Sequence, residues 1–178
     1  MLTAWYIGDH DDDGYLARLG YKITRIGQVR QLFGQVTHCE AILDVGFDGI
    51  HRIAGASLRD KGVRVKLTEL NREHWTILDV PLWDRVRCLA WFEAKSALKI
   101  PYSALGAASS ASPLVSLCLD AAGVDRLAIG QWCSRALGES VGVIGSEDMN
   151  VSELMTLSWN MPGTRDVTRK FFGGLVRK

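Results

Sequence analysis

The sequence predicts an α+β domain, and three observations carry the prediction. Segments of strand character dominate the chain up to Val80, and segments of helical spacing dominate it afterwards. Asp48-Gly49, set between two strand-like segments, is a hairpin turn signal. The length of 178 residues, with 47% hydrophobic and 23% charged, fits one globular unit that buries a core without disulfide staples.

Thr3 to Gly8 reads as a short strand, and the acidic loop Asp9 to Gly14 follows. That loop, DHDDDG, matches the first half of a calcium-binding loop. Position twelve is Gly20 instead of the bidentate Glu, so the segment reads as a solvated turn. Ile26, Val29, Arg30 and Phe33 recur at helical spacing and predict a helix over Ile23 to Phe33. Val36 to Val45 is the most informative strand. Cys39, Ala41, Leu43 and Val45 form a purely apolar face, while the opposite face carries His38, Glu40 and Ile42. One face is therefore core, and the other presents an imidazole beside a carboxylate.

The returning strand, Ile50 to Ala54, is expected to bring His51 alongside, and Val63 to Leu67 and Thr76 to Val80 are further strands. Leu82 to Leu98 reads as a long amphipathic helix with Val86, Leu89, Ala90, Ala94 and Ala97 on its inner stripe. Ile100 to Leu119 carries no charge, but two prolines and five serines make it too polar to span a membrane. It reads as a loop of small residues followed by a short core helix. Gly130-Gln131-Trp132 precedes a helix over Cys133 to Leu137, and Asn150 with Glu153 marks a capped helix through Leu157. The predicted organisation is one domain, 1–162, followed by a basic tail, 163–178. The tail carries Arg165, Arg169, Lys170, Arg177 and Lys178 against Asp166, with Phe171 and Phe172 among them. It either packs its aromatics on the body or docks to a protein partner or an anionic surface.

The formal charge of +1 offers no footprint for nonspecific nucleic-acid binding. MLTAWYIGDHDDDG has neither a basic region nor an apolar run, so no signal peptide is expected. Cys39, Cys88, Cys118 and Cys133 are scattered, with no CxxC, which argues against a zinc site; no metal and no cofactor is expected. The thiols read as reduced, with Cys39 on a core face and Cys88 and Cys118 structural.

A cysteine nucleophile needs a thiolate, an adjacent base and donors for an oxyanion. A Cys at a helix N-terminus gains the first from the dipole and supplies a donor from its own backbone. Cys133 stands where a helix begins, and His38 stands on the polar face of its strand. A third polar group would fix the imidazole tautomer, and Glu40 and His51 are equal candidates. The alternative for Cys133 is a buried small hydrophobe, and for His38 a hydrogen-bonded strand histidine.

Four segments resemble one family. THCEAIL (Thr37 to Leu43) resembles the Ser/Thr-His-x-Glu strand of circularly permuted NlpC/P60-like proteins, which are papain-fold cysteine hydrolases. ASLRDKGVR (Ala56 to Arg64), KIPYSALG (Lys99 to Gly106) and QWCSRAL (Gln131 to Leu137) resemble later segments of its bacterial and phage members, in the same order. The resemblance implies a permuted papain-like fold, with an antiparallel sheet packed with helices. It implies Cys133 as nucleophile and His38 as base. Tyr102 matches a family tyrosine that lines the site. Arg59 matches part of an Arg-Asp pair that orders a loop or faces substrate. Gln131 is a candidate second oxyanion donor. Arg135 departs from the pattern, standing where the family has Glu.

The expected activity is hydrolysis of an amide bond, in cell-wall peptide (peptidoglycan), through a Cys-His acyl-enzyme. Without a signal peptide the chain is expected to be cytoplasmic as made or, given the resemblance to phage members, packaged in a phage particle, where the tail would meet phage structural proteins. Two alternatives stand beside it. One is a structural or adaptor virion protein on the same fold. The other is a lipid acyltransferase or thioesterase, with Ile100 to Leu119 and Phe171-Phe172 as its apolar surface. Nucleic acid is not an expected partner, and neither is the membrane on the main reading.

Overall fold

A computed structural model describes residues 1–7, 36–46, 48–125, 127–128 and 130–173. The acidic loop and the helix expected over Ile23 to Phe33 lie outside the described residues. The class is α+β. The strands are β1 (Leu2–Ile7), β2 (Val36–Asp44), β3 (Ile50–Ser57), β4 (Gly62–Glu69), β5 (Trp75–Asp79) and β6 (Arg165–Asp166). They form one sheet in the order β4-β3-β2-β1-β5-β6, antiparallel at every pairing. The helices are α1 (Arg85–Ala97), α2 (Ala104–Ala111), α3 (Pro113–Ala121), α4 (Cys133–Val141), α5 (Val151–Asn160) and α6 (Thr168–Gly173).

The alternation in β2 divides the core as its sequence predicts. Cys39, Ala41 and Leu43 join Trp5, Ala54, Ala56 and Leu78 under Cys88 and Phe92 of α1, Leu137 of α4 and Leu154 of α5. The opposite face gathers Ala4, Ile42, Ile53 and Ile77 with Phe172 of α6. Trp5, Phe92, Leu137 and Leu154 are fully buried, and burying each contributes ~1.5–3 kcal/mol. The Trp5 indole N–H, which needs a partner in so dry a place, donates to Thr3 Oγ1 at 2.8 Å.

Several expectations are corrected. α1 begins at Arg85, behind an Asp84 cap whose carboxylate accepts from the Val86 and Arg87 N–H groups. Its buried residues are Cys88 and Phe92, and of the predicted stripe only Leu89 packs against the core: Val86 is 73% exposed, and Ala90, Ala94 and Ala97 face outward. A row of alanines covers little area, whereas Phe92 covers the sheet. The charge-free stretch forms two helices instead of a loop and a core helix, since Ser103 caps α2 and Pro113 opens α3. α3 buries none of its side chains, and Leu114, Leu117 and Cys118 are exposed, so Cys118 is not structural. No helix among the described residues is long and apolar enough to cross a membrane. Of the two readings of 163–178, the described part as far as Gly173 follows the first: β6 pairs with β5, and Phe172 is buried on the body.

One clamp fixes the approach to α4. Val63 N–H donates to Ile100 O at 3.0 Å and Tyr102 N–H to Lys61 O at 3.3 Å, which ties 100–102 to the β4 edge. On the other side Gln131 N–H donates to Pro101 O at 2.9 Å and Ser103 N–H to Gln131 O at 2.8 Å. Gly130 makes this approach possible: its φ is +130°, and a Cβ there would lie 2.5 Å from Pro101 O. The residues just before Cys133 are thus held in register with the sheet.

Candidate active site

Trp132 is the N-cap of α4, in extended conformation and without a side-chain cap, and Cys133 is the first helical residue. The first N–H groups of the helix therefore lack intrahelical partners, and the dipole favours negative charge there. Arg135, one turn in, does not face outward toward a substrate. Its Nη1 donates to Leu127 O at 3.1 Å and Gly130 O at 3.0 Å, its Nε to Glu139 Oε1 at 2.6 Å, and its guanidinium lies 5.2 Å from the Trp132 ring. The charge that departs from the resembled pattern is tied into the loop behind Cys133. Gln131 is tied in as well: its Nε2 donates to Glu139 Oε2 at 3.1 Å. That bond engages one of the two N–H donors of the side chain expected as a second oxyanion donor.

β2 supplies the other half. His38 Nε2 and Glu40 Oε1 lie 2.8 Å apart, both side chains buried on one face. Nε2 faces Glu40, and His38 also hydrogen bonds with the Cys133 side chain. The His38 ring stands edge-on to Trp75, centroids 6.2 Å apart. Cys133 is also hydrogen bonded by Cys39, through both its thiol and its backbone N–H. The recorded β2–β3 pairs begin at Ala41 with Ala54, so β2 before Ala41 is left to meet the start of α4.

The electrostatics follow from these contacts. The Cys133 thiol is pulled well below its usual value, first by the hydrogen bond from the Cys39 thiol and then by His38, against burial. Cys39 moves the opposite way, raised first by burial and then by Cys133, so it remains a protonated donor. Burial works to lower the His38 imidazole, but the hydrogen bonds to Cys133 and then Glu40, with their charges, raise it to about 9. Burial works to raise Glu40, but the Arg64 charge and the His38 contact hold it at about 2. These directions describe a thiolate–imidazolium pair with a carboxylate behind it.

His51 is not part of this group. Arg52 pairs with Asp44, so His51 lies at the opposite end of β2 from His38, level with Thr68. It is fully buried there, its ring 4.8 Å from Phe171. The hairpin itself puts it there: the turn at 48–49 sets the start of β3 against the end of β2, and the irregularity between Ile42 and Asp44 moves the pairing by only one residue. Tyr102 is half-buried in the clamp beside Gln131, and Arg59 is exposed on the β3–β4 turn, its N–H donating to Ser57 Oγ at 3.1 Å.

Two contributors were not foreseen by sequence. Cys39 reads as core from alternation, and its role shows only when α4 is laid on that face. Arg64 reads as part of a family-like stretch. The available signal was the alternation that places Arg64 and Lys66 on one face of β4. Among the described residues no three His, Cys, Asp or Glu side chains group as a metal site. Comparison with family models, with curated protein sequences and with solved structures gives no match.

Proposed function

We propose that the chain is a cysteine hydrolase on a permuted papain-like, NlpC/P60-like fold, cleaving an amide bond through an acyl-enzyme. The observation that carries this reading is the convergence of Cys133, His38 and Glu40, brought from two distant parts of the chain into one buried hydrogen-bonded row. Isolated structural histidines and cysteines have no need of that arrangement, whereas nucleophile, base and orienting group need all of it.

The steps follow from the atoms. The Cys133 thiolate attacks the carbonyl carbon, and the oxygen takes the negative charge near the Cys133 N–H at the start of α4. The His38 imidazolium gives its proton to the leaving nitrogen as the C–N bond breaks, which leaves a thioester. Neutral His38 then takes a proton from water, the resulting hydroxide equivalent attacks the thioester, and the carboxylic acid leaves as Cys133 recovers its thiolate. Glu40 holds His38 in place throughout.

The resemblance supports cell-wall peptide as the substrate and a phage-associated setting. The test is alkylation of Cys133 by iodoacetamide below pH 7, read by mass spectrometry. The reading expects fast labelling that His38→Ala slows by roughly tenfold or more, a change of at least ~1.4 kcal/mol. Labelling indifferent to His38→Ala would end it. A second reading, transfer of a lipid acyl group, draws on Leu105, Leu114 and Leu117, exposed on the helices that follow the Tyr102 clamp. Failure to float with liposomes would remove it.

A further inference from the structure

Glu40 is held from two sides, and the second holder comes from two strands away. Gly55 pairs with Arg64 across β3 and β4. A Cβ on Gly55 would lie 2.5 Å from Arg64 Nη1 and 3.2 Å from Glu40 Cγ. The absent side chain is thus the passage through which Arg64 crosses β3. Beyond it, Arg64 Nη2 donates to Glu40 Oε1, the same oxygen that faces His38 Nε2. On the near side Arg64 Nε donates to Asp60 Oδ2 at 2.5 Å, and Lys66 Nζ reaches that oxygen at 2.8 Å. The Arg64 side chain is only 12% exposed.

We propose that Arg64 is a positioning residue of this active site, reaching through the notch at Gly55 to fix Glu40 against His38 while Asp60 anchors the guanidinium. The proposal rests on the Cys133–His38 reading. A buried carboxylate without a counter-charge tends to take up a proton instead. Arg64 prevents this, so Glu40 stays an anion with Oε1 aimed at the ring. A protonated or turned Glu40 would no longer support the imidazolium, and the thiolate would be lost at a higher pH on acidification. A guanidinium suits the task because its fork engages Glu40 and Asp60 at once, which an ammonium on a single stem does not do as well.

The experiment is the pH profile of Cys133 alkylation by iodoacetamide in the whole chain, with thermal melts run in parallel. Four variants are compared with the wild type: Arg64→Gln, Arg64→Lys, Gly55→Ala and His38→Ala. Gly55→Ala keeps the arginine but pushes the far end of its side chain off Glu40. Arg64→Gln and Gly55→Ala are both expected to slow labelling about tenfold on the acid limb, below the wild-type midpoint, and to leave it unchanged on the plateau above it, a displacement of the acid limb by about one pH unit. Arg64→Lys should fall between wild type and Arg64→Gln, and it carries the test if Gly55→Ala does not fold. A folded Arg64→Gln or Arg64→Lys with the wild-type acid limb, while His38→Ala moves it, overturns the proposal and leaves the Cys133–His38 reading standing. An acid limb that none of the variants moves overturns both.

Discussion

Replacing Cys39 discriminates between two descriptions of the same side chain. Cys39 is fully buried among apolar residues, so as a packing residue it should tolerate alanine and resent serine. As the donor to the Cys133 sulfur it should behave the other way, since serine keeps a hydroxyl to donate and alanine has none. Its thiol is the leading influence lowering the Cys133 pKa. A hydrogen bond to a charged group contributes ~1.5–3 kcal/mol, and a thiol is a weak donor, so the lower end applies. That corresponds to an upward move of the Cys133 midpoint by about one pH unit in Cys39→Ala. The lost sulfur also removes packing of about one methylene, ~1 kcal/mol of stability. The assay is the alkylation rate of Cys133 across pH 4 to 10 for the wild type, Cys39→Ala and Cys39→Ser, with urea unfolding for each. The expected order of midpoints is alanine above wild type, with serine near wild type. Unmoved midpoints in both, with serine the less stable, would refute the donor role and return Cys39 to the core.

Two further outcomes follow from the same geometry. Glu40→Gln removes the charge that helps hold His38 at about 9, so the imidazolium should give up its proton about one unit lower, and activity should fall earlier on the alkaline side. Ring-proton NMR of His38 checks this, and an unshifted titration refutes it. Arg135→Gln removes the ties from α4 to Leu127 O and Gly130 O and the contact with Glu139, and should lower stability by ~1–3 kcal/mol in urea. Substrate discrimination should not change, since that side chain faces the loop; a variant of wild-type stability with altered substrate preference would show the opposite.

Much of the site is legible one strand at a time. Alternation in β2 puts His38 beside Glu40 on one face and Cys39 on the other, and the structure agrees. The Gly130-Gln131-Trp132 run before Cys133 marks a helix start correctly, and Asn150 with Glu153 does form the capping box of α5. What resists sequence is whatever depends on two elements together. His51 has the right residue type and the right face, but as the second residue of β3 it follows the hairpin turn directly and sits at the far end of β2 from His38. The reach of Arg64 depends on a missing side chain in the intervening strand, and no pattern within β4 announces Gly55. The α1 stripe is misread because two faces of the helix have apolar spacing, and Cys88 with Phe92 at i, i+4 covers more of the sheet than the row of alanines does.

The scattering of the four thiols has a consequence for watching this chain fold. His38 and Cys133 meet only when β2 and α4 are docked, so an unfolded chain has no activated thiolate. Cys88 is buried against Ser140, its pKa pushed up to about 11, and Cys39 is sealed under the helices. In mild acid the native state therefore presents Cys133 as its reactive sulfur; in mild base the exposed Cys118 reacts in either state, and unfolding adds Cys39 and Cys88. Labelling of Cys133 in mild acid then counts folded molecules, and labelling of Cys39 and Cys88 in mild base, resolved by peptide from that of Cys118, counts unfolded ones, so the chain serves as its own reporter without an added dye.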